Sequence, residues 1–317
     1  MDAFDIVRAS HVEFLVRDLE RSAGFYVDTL GFTVTERKGS SLYLRGLEDR
    51  FHHSLVLTES DRAGVAHIAF RVRKKEDLLS IERMLEREGA AFVRVGKGEE
   101  EGQGEAIRFQ DRFGFPVEFF NEMEQAEWML QRFDQHRGAK VMRLDHFNLL
   151  VGSVDEAFDW YTRVLGFDLT EYVEGREKGK RMSAAWLRRK SSSHDVALME
   201  GPGPRFHHAG FIVSDKGCIL DAADILASRG YISSMERGPG RHGITNAFFF
   251  YLRDPDGNRI ELYTGDYLTA DPYLPSVVWK PTDPRRQTFW GSPTPESWWK
   301  EASTVYSLFD GSPVATK

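Results

Sequence analysis

The chain has 317 residues, enough for two domains, and its 41% hydrophobic and 29% charged residues are the balance of a soluble globular protein. A net charge of −7 argues against the basic face that a nucleic-acid partner requires. The single cysteine rules out an internal disulfide and suits a reducing cytosol, and no apolar run approaches the ~20 residues of a membrane span, so a cytoplasmic protein without a membrane partner is expected.

The opening MDAFDIVRASHVEF carries acids and does not read as a signal peptide. Residues 11–32, HVEFLVRDLERSAGFYVDTLGF, begin with a histidine on an alternating apolar run, the pattern of a half-buried strand. An acidic turn and an amphipathic helix follow, ending at Gly31. A second strand runs through Ala66, His67, Ile68, Ala69 and Phe70, followed by a polar helix to Gly89. A turn at Asp111–Gly114 then leads into Val117, Glu118 and Phe119. Glu122 to Lys140 is charged and helix-compatible, and is expected to link this half to the next.

The chain is then written again. Residues 146–167, HFNLLVGSVDEAFDWYTRVLGF, repeat the first segment, with Gly166 in place of Gly31. His208, Ala209, Gly210 and Phe211 repeat the second strand, and its helix ends near Gly230. The D-P-D-G-N turn at Asp254–Asn258 is a hairpin signal, after which Arg259-Ile260-Glu261-Leu262 resumes the apolar alternation. His146 is expected to open the first strand of this half and His208 a later one. Each half is thus strand–helix–strands twice over, an α+β arrangement whose sheets could curl around a cavity. After Asp266 prolines alternate with tryptophans, which predicts an irregular tail packed onto the body. The expected divisions are 1–138, 139–265 and the tail 266–317. Cys218 reads as a buried bystander rather than a reactive thiol.

His146, His208 and Glu261 form the chemical constellation. Two imidazoles and one carboxylate leave coordination positions open, as non-haem iron(II) oxygenases require; a structural zinc site would fill its positions, usually with cysteine. Glu261, within an apolar strand, is costly to bury unless paired or metal-bound. The first half keeps His11, His67 and Glu118 at the corresponding places, either a relic of duplication or a second metal site. The relic is favoured, because that half lacks recognisable counterparts to the further groups named below.

Four segments carry a resemblance: Leu144–Asn148, Arg205–His208, Glu236–Gly243 (ERGPGRHG) and Tyr251–Glu261 (YLRDPDGNRIE). Through them the whole chain resembles the vicinal-oxygen-chelate superfamily and, within it, the type I extradiol catechol dioxygenases, most of all the branch that opens 3,4-dihydroxyphenylacetate. The resemblance implies two tandem domains of paired βαβββ modules, the glyoxalase–bleomycin-resistance-like fold, with the working metal in the second. It implies non-haem iron(II) on His146, His208 and Glu261, with manganese(II) as an alternative that the same donors suit. It assigns acid–base and oxygen-side roles to His194, Tyr251 and His242; strand alternation points His207, next to the second ligand, away from the metal. Arg237 and Asn148 would lie close to the substrate. Arg285 and Arg286 would sit on a tail closing over the pocket, where one would pair with a substrate carboxylate, and Trp298 would line or cap the same pocket. The tail reads Phe289-Trp290-Gly291 where the branch has Trp-Trp-Gly, which leaves pocket shape open. The implied partners are a catechol with an acidic side chain, dioxygen and three further copies in a homotetramer. The competing readings are extradiol cleavage of another catechol, a glyoxalase-type metalloisomerase, and a metal-free binding module on the same scaffold.

Overall fold

The computed structural model describes residues 4–316. Residues 1–3 and 317, the ends of the acidic opening and of the tail, lie outside the described residues. The first half folds as β1 (Ile6–Val16), α1 (Leu19–Ala23), β2 (Thr33–Lys38), β3 (Ser41–Arg45) and β4 (Leu55–Glu59). It repeats as β5 (Gly64–Val72), α2 (Glu76–Glu88), β6 (Phe92–Val95), β7 (Ala106–Gln110) and β8 (Pro116–Phe120). The second half supplies β9 (Val141–Val151), α3 (Val154–Arg163), β10 (Asp168–Glu174), β11 (Met182–Arg188) and β12 (Val196–Glu200). It repeats as β13 (Arg205–Val213), α4 (Lys216–Ser228), β14 (Met235–Arg241), β15 (Phe248–Arg253) and β16 (Arg259–Thr264). The two halves are therefore tandem pairs of βαβββ modules, as the repeat predicts.

Local chemistry explains the boundaries. Asp18, Ser153 and Asp215 cap α1, α3 and α4 by accepting hydrogen bonds from the backbone N–H groups of Arg21, Glu156 and Cys218. Gly89 ends α2 at φ +66°, a conformation in which a Cβ would be strained. The D-P-D-G-N segment does turn the chain, pairing β15 with β16 so that Tyr251 lies opposite Glu261.

In each half two modules join through their first strands. The first sheet runs β2-β3-β4-β1-β5-β8-β7-β6, and the second runs β14-β15-β16-β13-β9-β12-β11-β10 with one tail strand at its edge. The central pairs β1–β5 and β9–β13 are antiparallel. One continuous apolar core joins both halves, with Phe14 against Phe206, Phe70 against Phe147 and Phe32 against Phe211.

Three expectations are corrected. His146 is mid-strand in β9, because buried Val141 and Leu144 extend the strand backwards; His208 is likewise inside β13. The link from Glu122 to Lys140 forms no α-helix, only a short 3₁₀ turn at Phe133–Gln135. Its backbone groups bond elsewhere: Gly104 N–H donates to Glu122 O and His52 N–H to Glu124 O, so helical pairing is pre-empted. The tail is not wholly irregular. β17 (Val277–Trp279) adds in parallel to β10, and α5 (Ser297–Lys300) makes a single turn that buries Trp298.

Candidate metal centre

Three neighbouring strands place the donors in one row. His146 on β9 lies opposite Gly210 on β13, and Gly210 lies opposite Glu261 on β16. Gly210 is the gap in the row: a Cβ there would stand 2.1 Å from His146 Cε1. Its absence lets the imidazole fold across β13 toward Glu261. His208, two residues earlier on the same strand, completes the group. His146 Nε2 lies 3.1 Å from Glu261 Oε2 and 3.3 Å from His208 Nε2, and His208 Nε2 is 3.3 Å from the same carboxylate oxygen. All three side chains are buried.

This donor set fits a divalent metal. The three donor atoms lie within 4.8 Å of one another, and Glu261 Oε1 is buried without a hydrogen-bond partner. Two imidazoles and one carboxylate leave room for further oxygen ligands. Burial pulls His146 downward, but the carboxylates of Asp145 and Glu261 outweigh it and hold the imidazole at about 9. Burial lowers His208 to about 4. Burial would raise Glu261, yet the two histidines hold it well below the carboxylate range. A metal replaces the proton that these groups otherwise share.

A cavity of about 330 Å³ opens beside this row. His194 enters it from the loop before β12, its ring centroid 4.0 Å from that of His146, with Ser193 Oγ 2.8 Å from its Nδ1. Burial and the nearby His146 hold His194 well below its ordinary pKa, so it is neutral. On the opposite wall His242 Nε2 lies 3.0 Å from the Tyr251 hydroxyl, and His242 Nδ1 meets the carbonyl of Gln287 in the tail. Burial, with Arg237 beside it, lowers His242 to about 3, while burial and Glu261 push the Tyr251 phenol well up.

Asn148 reaches the cavity from β9, its Nδ2 donating to Met199 Sδ at 3.1 Å. Trp298 closes one side, edge-on to Tyr251 with ring centroids 4.5 Å apart. His207 faces away and bonds the carbonyl of Trp298 at 3.2 Å. Cys218 is buried in α4.

The arginines separate. Arg286 lines the cavity. Arg285 does not: it is exposed and held by Asp283 at 2.8 Å, which corrects the expectation for this member of the pair. Arg286 faces the cavity together with Gln287, while Arg285 turns toward Asp283. Arg237 stands behind the wall, stacked over Phe249 and Trp298 and donating to Thr288 Oγ1 at 2.7 Å.

Sequence reasoning missed four residues. Gly210 had no signal of its own. Asp145, buried and 3.2 Å from His146 Nδ1, was visible as the neighbour of a ligand. Ser193 orients His194. Arg176 lines the cavity from the β10–β11 loop and lies near enough to Arg286 for the two charges to interact.

The model of the glyoxalase/bleomycin resistance protein/dioxygenase superfamily matches residues 8–119 and 143–262, and the chain belongs to that superfamily. It is 34% identical to the metapyrocatechase of Geobacillus stearothermophilus, over 99% of this chain and 96% of the relative. It is 33% identical to a manganese-dependent 2,3-dihydroxybiphenyl 1,2-dioxygenase of Geobacillus genomosp. 3, over 91% and 95%. Among solved structures, homoprotocatechuate 2,3-dioxygenase from Brevibacterium fuscum, in complex with 3,4-dihydroxyphenylacetate, superposes with a TM-score of 0.95 at 40% identity, covering 99% and 98% of the two chains. The Arthrobacter globiformis enzyme of that name gives 0.94 at 41%, covering 98% and 96%. Within the superfamily this chain is an extradiol catechol dioxygenase, with a site suited to iron(II) or manganese(II).

Proposed function

We propose that the chain opens 3,4-dihydroxyphenylacetate beside, not between, its hydroxyl-bearing carbons, with both atoms of dioxygen entering 5-carboxymethyl-2-hydroxymuconate semialdehyde. The observation that carries this is the convergence of His146, His208 and Glu261 beside a cavity whose wall also holds Arg286. A guanidinium inside a half-closed cavity matches a ligand carboxylate, and Arg176 adds a second positive charge to that wall. The Brevibacterium fuscum relative in complex with the same catechol supports the choice.

His146, His208 and Glu261 hold the metal, which when bound polarises the catechol oxygens and couples the ring electronically to dioxygen. Tyr251 and His242 act as a pair. The Gln287 carbonyl keeps the proton on His242 Nδ1, so Nε2 accepts from the Tyr251 hydroxyl, and the phenol oxygen is free to accept from a catechol hydroxyl. His194 is neutral at rest, so it can take up a proton on the oxygen side and return it as the ring opens. Ser193 and Asp145 fix the orientations of the His194 and His146 rings. Asn148 and Trp298 shape the pocket, and Arg237 stiffens the wall behind Tyr251.

In this reading residues 139–265 carry catalysis, residues 1–138 do not, and the tail 266–317 walls the cavity. The working assembly is a cytoplasmic homotetramer. Exposed Leu268, Tyr273 and Leu274 offer apolar surface for a subunit contact, and light scattering checks the mass. The decisive test is anaerobic purification with iron(II), then mixing with 3,4-dihydroxyphenylacetate in air. A yellow product that is lost in Glu261→Ala is expected; bound metal with no colour from any catechol would favour isomerase chemistry instead.

A further inference from the structure

The first half contains a second cluster of metal-ligating side chains, and it differs from the catalytic one in a specific way. His11 on β1, His67 on β5 and Glu118 on β8 occupy a matching row, with Ala69 opposite both His11 and Glu118. His11 Nε2 lies 3.0 Å from His67 Nε2 and 3.4 Å from Glu118 Oε1. A fourth donor joins them that the sequence repeat does not reveal. Glu100, from the loop between β6 and β7, brings Oε1 to 3.6 Å from His11 Nε2 and Oε2 to 3.9 Å from His67 Nε2. The four donors lie within 4.8 Å of one another.

Two features point to a ligand at their centre. His11 Nδ1 is buried without a hydrogen-bond partner, while Glu100 Oε1 has His53 Nε2 3.2 Å away. The outer groups orient the inner ones as around a metal: Glu13 lies 2.9 Å from His67 Nδ1, leaving His67 Nε2 to face inward, and Arg108 holds Glu118 Oε2 at 2.5 Å and also pairs with Glu100.

We propose that this half binds a divalent metal ion on His11, His67, Glu100 and Glu118, and that the site is structural. Glu100 adds a donor that the catalytic cluster lacks, so two imidazoles and two carboxylates fill a four-coordinate sphere. The neighbouring cavity, about 340 Å³, reaches Glu100 and Arg108 but none of His11, His67 and Glu118. The ion ties β1, β5, β8 and the β6–β7 loop together and takes no part in ring cleavage.

The test removes the catalytic site first. Glu261→Ala protein is stripped of metal, titrated with manganese(II) and assayed by elemental analysis and electron paramagnetic resonance. Retention of one ion per chain and a rise in Tm on adding manganese(II) are expected. The double variant Glu261→Ala/Glu100→Gln, which alters only a loop carboxylate, should lose the ion and the Tm response. In the otherwise native chain, Glu100→Gln should lower the metal content from two ions to one and leave ring-cleavage kinetics within about twofold. A native chain that saturates at one ion, with none bound by Glu261→Ala, would overturn the proposal. Because the readout is metal content and Tm, the result stands apart from whichever catechol the other site cleaves.

Discussion

His146, Gly210 and Glu261 lie in one row across three strands, and the middle residue decides whether the outer two meet. In Gly210→Ala the new Cβ would press directly on the His146 ring. Metal affinity at this site should fall about 10- to 100-fold, read by titration with manganese(II); unchanged affinity would mean that the ring can move and still coordinate. His194→Phe removes the imidazole whose ring centroid lies 4.0 Å from that of His146 while leaving all three ligands in place. Metal content should be retained and kcat should drop about 100-fold or more, so undiminished turnover would end the acid–base role. Arg286→Ala should raise KM for 3,4-dihydroxyphenylacetate about 30-fold while barely changing that for 4-methylcatechol, which has no carboxylate. Equal effects on both would assign the carboxylate to another group, with Arg176 the first to substitute.

The β15–β16 hairpin carries both Tyr251 and Glu261, and its attachment to β14 and the tail depends on Glu236. That carboxylate takes Arg259 at 2.5 and 2.9 Å, Arg253 at 2.9 Å and the Ser297 hydroxyl at 2.7 Å. Burial would raise Glu236, but the two guanidiniums hold it at about 2. The folded value is below the unfolded one, so the stabilisation is present above about pH 4.5 and is lost as pH falls toward 2. Glu236→Gln leaves the fully buried Arg259 without its carboxylate and should cost about 3 kcal/mol at neutral pH. The variant should also show a shallower fall of stability on the acid limb, measured by urea unfolding between pH 3 and 7; an unchanged limb would locate the acid sensitivity elsewhere.

The two halves are tied by reciprocal contacts. The Tyr26 hydroxyl donates to Asp254 at 3.0 Å, in the turn that precedes Glu261, and the Tyr161 hydroxyl donates to Asp111 at 3.1 Å, in the matching turn of the first half. Tyr26, in the π-helical turn Gly24–Thr29 that follows α1, and Tyr161 of α3 therefore each brace the hairpin of the other half over a shared core. Unfolding should be one cooperative transition by circular dichroism and tryptophan fluorescence alike, and Tyr26→Phe should lower stability by about 1 kcal/mol without splitting it. Two separated transitions would mean that the halves are independent domains despite their common core.

The duplicated pattern, the D-P-D-G-N turn and the order His146, His208, Glu261 were legible in the sequence because strand alternation and turn chemistry are local. So was the enzyme class, through motifs such as ERGPGRHG that keep their spacing. The Glu122–Lys140 link was not legible. Its composition suited a helix, but its backbone groups found partners around residues 50 and 102–104, and no local signal encodes that competition. The Arg285–Arg286 pair could be placed in the tail, but only the turn around it decided which guanidinium enters the cavity. Gly210 and Glu100 mark the same boundary most sharply. One matters through a side chain it lacks, against a ring 64 positions earlier, and the other reaches a pair of histidines from a loop outside the repeat. Contacts of that kind depend on strand register and loop path across the sheet, which the assembled structure sets and the order of residues leaves open.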